Sequence, residues 1–199
     1  AAWPVASGAR LQHELDALAP LLASLGGRFH LVGHSYGAAL ALVIALAWPQ
    51  RAAAVVLYER TAYPLLGRPG PGDPDATGIA AVATVAMAAV DRGDLHAAAE
   101  SFIDYWMGAG SWAAMPEARR GPVAASMRPI AQWTEALFAQ PWPLPALAAL
   151  PMPVLLLGGA LSPASAHDVL PILAAAIPRH YARSSLSPIL PSPPCRALS

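Results

Sequence analysis

Residues 28–42 read Arg28-Phe29-His30-Leu31-Val32-Gly33-His34-Ser35-Tyr36-Gly37-Ala38-Ala39-Leu40-Ala41-Leu42, and their reading decides the fold. Phe29 to Val32 is a short apolar run of strand type, and Gly33 to Gly37 forms a turn. Ala38 to Ala47 is dense in Ala, Leu, Val and Ile and stops before Pro49, which reads as a buried helix. A strand before and a helix after are the context that gives a G-x-S-x-G motif its meaning. A serine on such a strained strand-to-helix turn exposes its hydroxyl at the carboxyl edge of the sheet. Side chains at either flanking position, Gly33 or Gly37, are expected to collide with the neighbouring strand or helix. The Tyr36 amide, at a helix N-terminus, would face a developing oxyanion. An ordinary strand, turn and helix carrying an inert serine is the plainer alternative.

Outward from this stretch, Leu11 to Leu25 carries Leu at helical spacing and is stopped by Gly26-Gly27. Ala53 to Tyr58 is a second short apolar run with a β-branched pair, hence a strand. A Pro- and Gly-rich loop over 64–75 leads into helical patterns between about Thr77 and Gln140. One of these faces carries Leu95, Ala98, Phe102 and Trp106. Another carries Val123, Met127, Ile130, Thr134 and Leu137, set off from what precedes it by Gly121-Pro122. Pro141 to Pro153 is a Pro-rich return, Val154 to Leu157 a third strand, and Ala164 to Ile177 a last helix. Helix and strand alternate around a helical excursion, which is the pattern of an α/β fold with a mostly parallel sheet. Residues 179–199 show no sustained periodicity and no convincing strand.

The chain has 199 residues, 12 of them Arg and none Lys, with 46 Ala and no Asn. Such a bias fits a GC-rich coding sequence. Twelve scattered Arg balanced by 12 acidic residues make no basic stripe, so nucleic-acid binding is not expected. A hydrophobic content of 56% against 12% charge excludes intrinsic disorder. One Cys excludes a disulfide scaffold, and no Cys/His cluster has metal-ligand spacing, so neither metal nor other cofactor is expected. Mean hydropathy is high at +0.44. Yet the most apolar stretches, Ala38–Trp48 and Ile79–Val90, are 11 and 12 residues long, short of the ~18 that cross a bilayer. Both read as buried helices. With no signal peptide visible at the first residues, the expected location is cytoplasmic and the expected partner a small-molecule substrate.

The motif V-G-H-S-Y-G-A-A resembles the nucleophile elbow of the α/β-hydrolase family, and P-V-L-L-L-G-G-A-L-S-P is similar to that family's later strand and the loop after it. The resemblance covers about Arg10 to Pro178. It implies a partial α/β-hydrolase fold, with core residues at 1–61 and 141–178, an inserted helical cap at 62–140 that roofs an apolar pocket, and an atypical tail at 179–199. Members begin with four further strands, whose loops supply a second oxyanion amide, and end in a Gly-His loop. Nothing before Arg10 supplies the one and nothing after Pro178 the other, so the resemblance predicts a truncated or frame-shifted chain.

The resemblance implies a serine hydrolase acting on an ester or related acyl bond, with Ser35 as nucleophile and the Tyr36 N–H stabilising the oxyanion. A serine nucleophile needs a base and an orienting acid. Many members carry the acid after the third strand, where this chain has Ser162. Others carry it one strand earlier, where Glu59 follows A-A-V-V-L-Y at once. Glu59 is the expected acid, with an ion pair to Arg60 as the competing role and Asp168 as the runner-up residue. The base is unassigned. His34 adjoins the serine and points elsewhere; His13 and His30 lie in the first helix and first strand; His96 lies in the cap. His167 and His180 are the weak candidates. A catalytically inactive remnant or a binding module of the same fold is the alternative function.

Overall fold

A computed structural model of the chain describes Gly8, residues 10–67 and residues 74–185. The chain runs α1 (Leu11–Ser24), β1 (Phe29–His34), α2 (Tyr36–Ala47) and β2 (Ala52–Tyr58), followed by a 3-10 turn at Tyr63–Leu66. Six helices come next: α3 (Pro74–Asp91), α4 (Leu95–Met107), α5 (Ser111–Ala114), α6 (Glu117–Ala125), α7 (Met127–Ala139) and α8 (Leu144–Ala148). Then follow β3 (Val154–Gly159), α9 (Ala164–Ala176) and β4 (His180–Ser185). The strands form one parallel sheet in the order β1-β2-β3-β4.

Register gives each face of the sheet its character, because laterally paired residues of a parallel sheet share a face. Leu31, Val55 and Val154 lie in one row, and Gly33, Leu57 and Leu156 in the next. These side chains are buried and join Leu11, Leu15, Leu42, Ile44, Val169 and Leu173 of α1, α2 and α9 in a single core. The opposite face carries the row Val32, Val56, Leu155 and Tyr181, of which Val32 is 76% and Tyr181 68% exposed. Continuous apolar strands usually mean cover on both faces; here the described residues cover one.

Arginines close the amino edge of the sheet. Arg51 donates to the carbonyls of Leu22, Leu25 and Gly27, at the end of α1 and in the turn after it, and its guanidinium lies 5.4 Å from the Phe29 ring. Arg28 donates to the Ala52 carbonyl. The last carbonyls of a helix have no partner within it, and a planar fork can serve several at once.

The helical region between β2 and β3 holds a second core of Ala89, Ala98, Ala99, Trp112, Ala124 and Met127. Asp94 caps α4 by accepting from the Ala97 N–H, a bond of the kind worth about 1 kcal/mol. Asp104 accepts from the Gly110 and Trp112 amides, and these bonds hold its carboxyl below the usual range.

Three expectations are corrected. Residues 180–185, expected to lack a strand, form β4 and pair with β3 along their whole length. H-Y-A-R-S-S has little strand character of its own; the apolar β3 beside it supplies the pairing. Residues 186–199 of the expected tail lie outside the described residues. Gly121-Pro122 does not separate two helices, since α6 continues through Pro122. The break falls at Ser126, whose N–H is shared between the Pro122 and Val123 carbonyls and whose hydroxyl donates back to Val123. Finally, α3 is not buried all round, because Val85 is 57% exposed. No described helix is long and apolar enough to cross a membrane.

Candidate active site

The sharpest backbone feature stands where β1 meets α2. Ser35 is the N-cap of α2 with φ 52 and ψ −120. Among the described residues, only Ser35 and Glu59 are non-glycines with positive φ. Side chains rarely adopt this conformation, and surrounding structure must impose it. The crossing is tight. A Cβ placed on Gly33 would sit 2.1 Å from the Gly37 carbonyl oxygen and 2.6 Å from Ala38 Cα, so position 33 admits no side chain. Gly37 differs from the expectation of crowding on both flanks: a Cβ there meets nothing within 4 Å. The turn brings the backbone of 37 and 38 against Gly33, while the Cβ direction of Gly37 looks into open space.

The segment following β2 lies directly against this turn. The Ser35 N–H donates to the Tyr58 carbonyl at 2.9 Å, and the Thr61 hydroxyl donates to the Ser35 carbonyl at 3.1 Å. Between them, Glu59 is 4% exposed. Its N–H donates to the Leu157 carbonyl at 3.1 Å, and its Oε1 accepts from the Gly159 N–H. Burying a carboxylate requires such partners. Arg60, 2% exposed, donates to the Leu157 carbonyl at 2.6 Å and to the Ala166 carbonyl at 3.2 Å. Burial lowers its pKa to about 10, and the neighbouring charge of Glu59 opposes that fall. Glu59 thus has both the backbone partner and the charged neighbour that its position demands.

Tyr36 opens α2, and the N–H of a first helical residue has no acceptor within the helix. Its ring stacks on Trp133 of α7 with centroids 5.5 Å apart, and its hydroxyl donates to Glu14 of α1 at 3.2 Å. Burial, then the Glu14 charge, raises the Tyr36 pKa. Tyr63 is buried beside the same segment, and burial followed by Tyr105 and Glu59 pushes its hydroxyl up as well. Tyr105 shares a 2.7 Å hydrogen bond with the fully buried Ser165 at the start of α9.

The remaining predicted residues are scattered. Asp168 is exposed and lies past the first turn of α9, a solvated position. Ser162 closes the turn after β3 through its N–H to the Gly159 carbonyl. His180 opens β4 opposite Val154, at the amino edge. Register places it level with Leu31 of β1, four residue steps or about 13 Å at the strand rise from Ser35. Its Nδ1 lies 2.7 Å from the Ile177 carbonyl. His34 packs its ring against Tyr58 at 5.1 Å, and His96 packs against Trp112 at 5.7 Å. His167, in the first turn of α9, is on the carboxyl side of the sheet. The sequence reading missed Thr61, Tyr63, Tyr105 and Ser165, and took Arg60 only as an ion-pair partner. The signal available was the run E-R-T directly after an apolar strand. No group of described His, Cys, Asp and Glu could hold a metal ion.

A parallel sheet whose first strand turns through a strained serine into a buried helix, with a helical insertion two elements later, defines a class. The Alpha/beta hydrolase family model matches residues 4–191, and the chain belongs to that family. Solved structures agree on the fold. An α/β hydrolase from Sphaerobacter thermophilus is 22% identical, with a TM-score of 0.59 over 92% of this chain and 68% of that one. A thermophilic esterase from Thermogutta terrifontis is 23% identical, with a TM-score of 0.65 over 91% and 65%. A 2-hydroxy-6-oxo-6-phenylhexa-2,4-dienoate hydrolase from a Rhodococcus species is 19% identical, with a TM-score of 0.63 over 92% and 66%. The chain therefore spans about two thirds of the length of these structures. No curated protein matches it.

Proposed function

We propose that the chain carries the nucleophile half of a serine hydrolase acting on an ester or related acyl bond of a small apolar substrate. The observation that carries this reading is Ser35 itself, held at φ 52 and ψ −120 between a strand end and a buried helix. Strained backbone of this kind collects at functional sites. In the proposed reaction, the Ser35 hydroxyl attacks the carbonyl, the Tyr36 N–H meets the oxyanion, and Glu59 orients the base. The neighbours titled esterase and hydrolase support this class. The helices α3–α7 serve as a cap, with Trp133 standing over Tyr36.

A second reading, an inactive remnant or a binding module without turnover, is favoured by His180, which lies on the sheet edge away from Ser35. A fluorophosphonate probe separates the two, because it reacts with serines made nucleophilic by a base. Stoichiometric labelling of the folded chain that disappears in Ser35→Ala is the expected result. Absence of labelling in folded wild-type protein would overturn the hydrolase reading in favour of an inactive remnant or binding module.

A further inference from the structure

We propose that Thr61 is a positioning residue that aims the oxyanion-binding amide of Tyr36 through the Ser35–Tyr36 peptide plane. The inference rests on the reading of Ser35 as nucleophile and adds a residue outside the G-x-S-x-G motif. A peptide unit is planar and trans, so its C=O and N–H point in fixed, opposite directions. Whatever holds the Ser35 carbonyl therefore also sets the direction of the Tyr36 N–H. Three donors converge on that carbonyl: the Ala38 N–H at 2.9 Å and the Ala39 N–H at 3.3 Å, and the Thr61 hydroxyl at 3.1 Å.

The two amides come from α2 and would follow any rotation of its first turn. The hydroxyl comes from outside the helix. Thr61 is 2% exposed and follows the segment whose Tyr58 carbonyl pins the Ser35 N–H at 2.9 Å. Ser35 is thus gripped at both its amide and its carbonyl by one stretch of chain, residues 58–61. That stretch contains the other strained residue, Glu59, with φ 48. The peptide unit is held by the sheet as well as by the helix it begins. A donor on the carbonyl oxygen also polarises the unit and strengthens the opposite N–H as a donor.

The test measures the rate of fluorophosphonate labelling against probe concentration on the full 199-residue chain, separating the maximal rate from half-saturation. Thr61→Val keeps the shape and removes the hydroxyl. The expected result is a fall of about tenfold in maximal rate, a fraction of the 10²–10³ lost with an entire oxyanion donor, with half-saturation unchanged and near wild-type rates in Thr61→Ser. A purely structural role would lower the melting temperature and leave the maximal rate of the folded protein alone. If Thr61→Val does not fold, Thr61→Ser against Thr61→Ala decides, since both lack the methyl group and only one keeps the hydroxyl. Equal maximal rates for hydroxyl-bearing and hydroxyl-free variants, with wild type labelled, overturn the role of Thr61 alone. An unlabelled wild type overturns the reading of Ser35, and this inference with it.

Discussion

Gly33 and Gly37 flank Ser35 symmetrically in sequence, and the structure predicts opposite responses to the same added methyl group. On Gly33, the new Cβ falls 2.1 Å from the Gly37 oxygen, 2.5 Å from its carbonyl carbon and 2.6 Å from Ala38 Cα. All three are backbone atoms, so no side-chain rotation relieves the overlap. Either β1 moves or the first turn of α2 opens. Overpacking of flexible cores costs about 1–3 kcal/mol, and a clash of backbone on backbone belongs at or above the top of that range. On Gly37 the same methyl meets nothing within 4 Å. There, replacing a helical glycine favours folding by about 0.5–1 kcal/mol through lower chain entropy. Melting temperatures of a chain this size shift by about 2–4 °C per kcal/mol. Gly33→Ala is therefore expected to melt at least about 6 °C below wild type, and Gly37→Ala at or up to about 4 °C above it. Thermal melts followed by circular dichroism, with urea midpoints as a second measure, provide the assay. A Gly33→Ala melt within 2 °C of wild type, or a loss in Gly37→Ala as large as in Gly33→Ala, would refute the geometry of the elbow.

Other consequences are open to measurement. Arg60→Ala removes a buried guanidinium that donates to two carbonyls; taking a partner away from buried acceptors costs about 1–3 kcal/mol, read as a lower urea midpoint at unchanged slope. At alkaline pH, Tyr36 and Tyr63 have folded pKa values raised above the unfolded 10.0, so their stabilisation is lost as pH rises past 10. The lowered pKa of Arg60 pulls in the opposite direction. The guanidinium scarcely gives up its proton in this range, so the two tyrosines set the sign and stability falls as pH rises past 10. Unfolding should accordingly begin above pH 10. Tyr63→Phe, which cannot ionise, should move the midpoint of a pH titration followed by fluorescence upward, and an unmoved midpoint excludes Tyr63 as the source.

The part of the fold around Ser35 was legible because the pattern there changes abruptly. An apolar run of strand length gives way to a five-residue turn and then to an all-apolar helix. β1, α2, β2, β3 and α9 follow from the same kind of contrast. β4 was not legible, because pairing with β3 imposes its conformation and H-Y-A-R-S-S shows no alternation that would announce it. The asymmetry of Gly33 and Gly37 was hidden for a related reason. Two glycines look alike in a motif, and only the path of the crossing shows which of them faces backbone. At the candidate site, the sequence marks a Glu after an apolar strand, but not the burial of Arg60 and Thr61 behind it. Polar residues at a strand end ordinarily reach solvent, and here the following turn folds back over the sheet. With β4 illegible, the place of His180 was illegible too, and register against Val154 puts it on the edge away from Ser35.

The fork of Arg51 has a meaning beyond bond counting. It grips Leu22, Leu25 and Gly27 from a residue that immediately precedes β2, while Arg28, immediately before β1, grips Ala52. The end of α1 is thereby tied to two strands adjoining it in the sheet and not merely packed on their surface. Loosening that end means parting the root of the β1–β2 pair. Helix and strands are then expected to open as one cooperative unit, their amides exchanging with solvent together and late in a hydrogen-exchange experiment. A lysine at position 51, with one point charge on a flexible stem, could not bridge three carbonyls in this way. The abundance of arginine and the lack of lysine, first read as codon bias, thus have a mechanical role: at this edge they decide which parts of the chain open together.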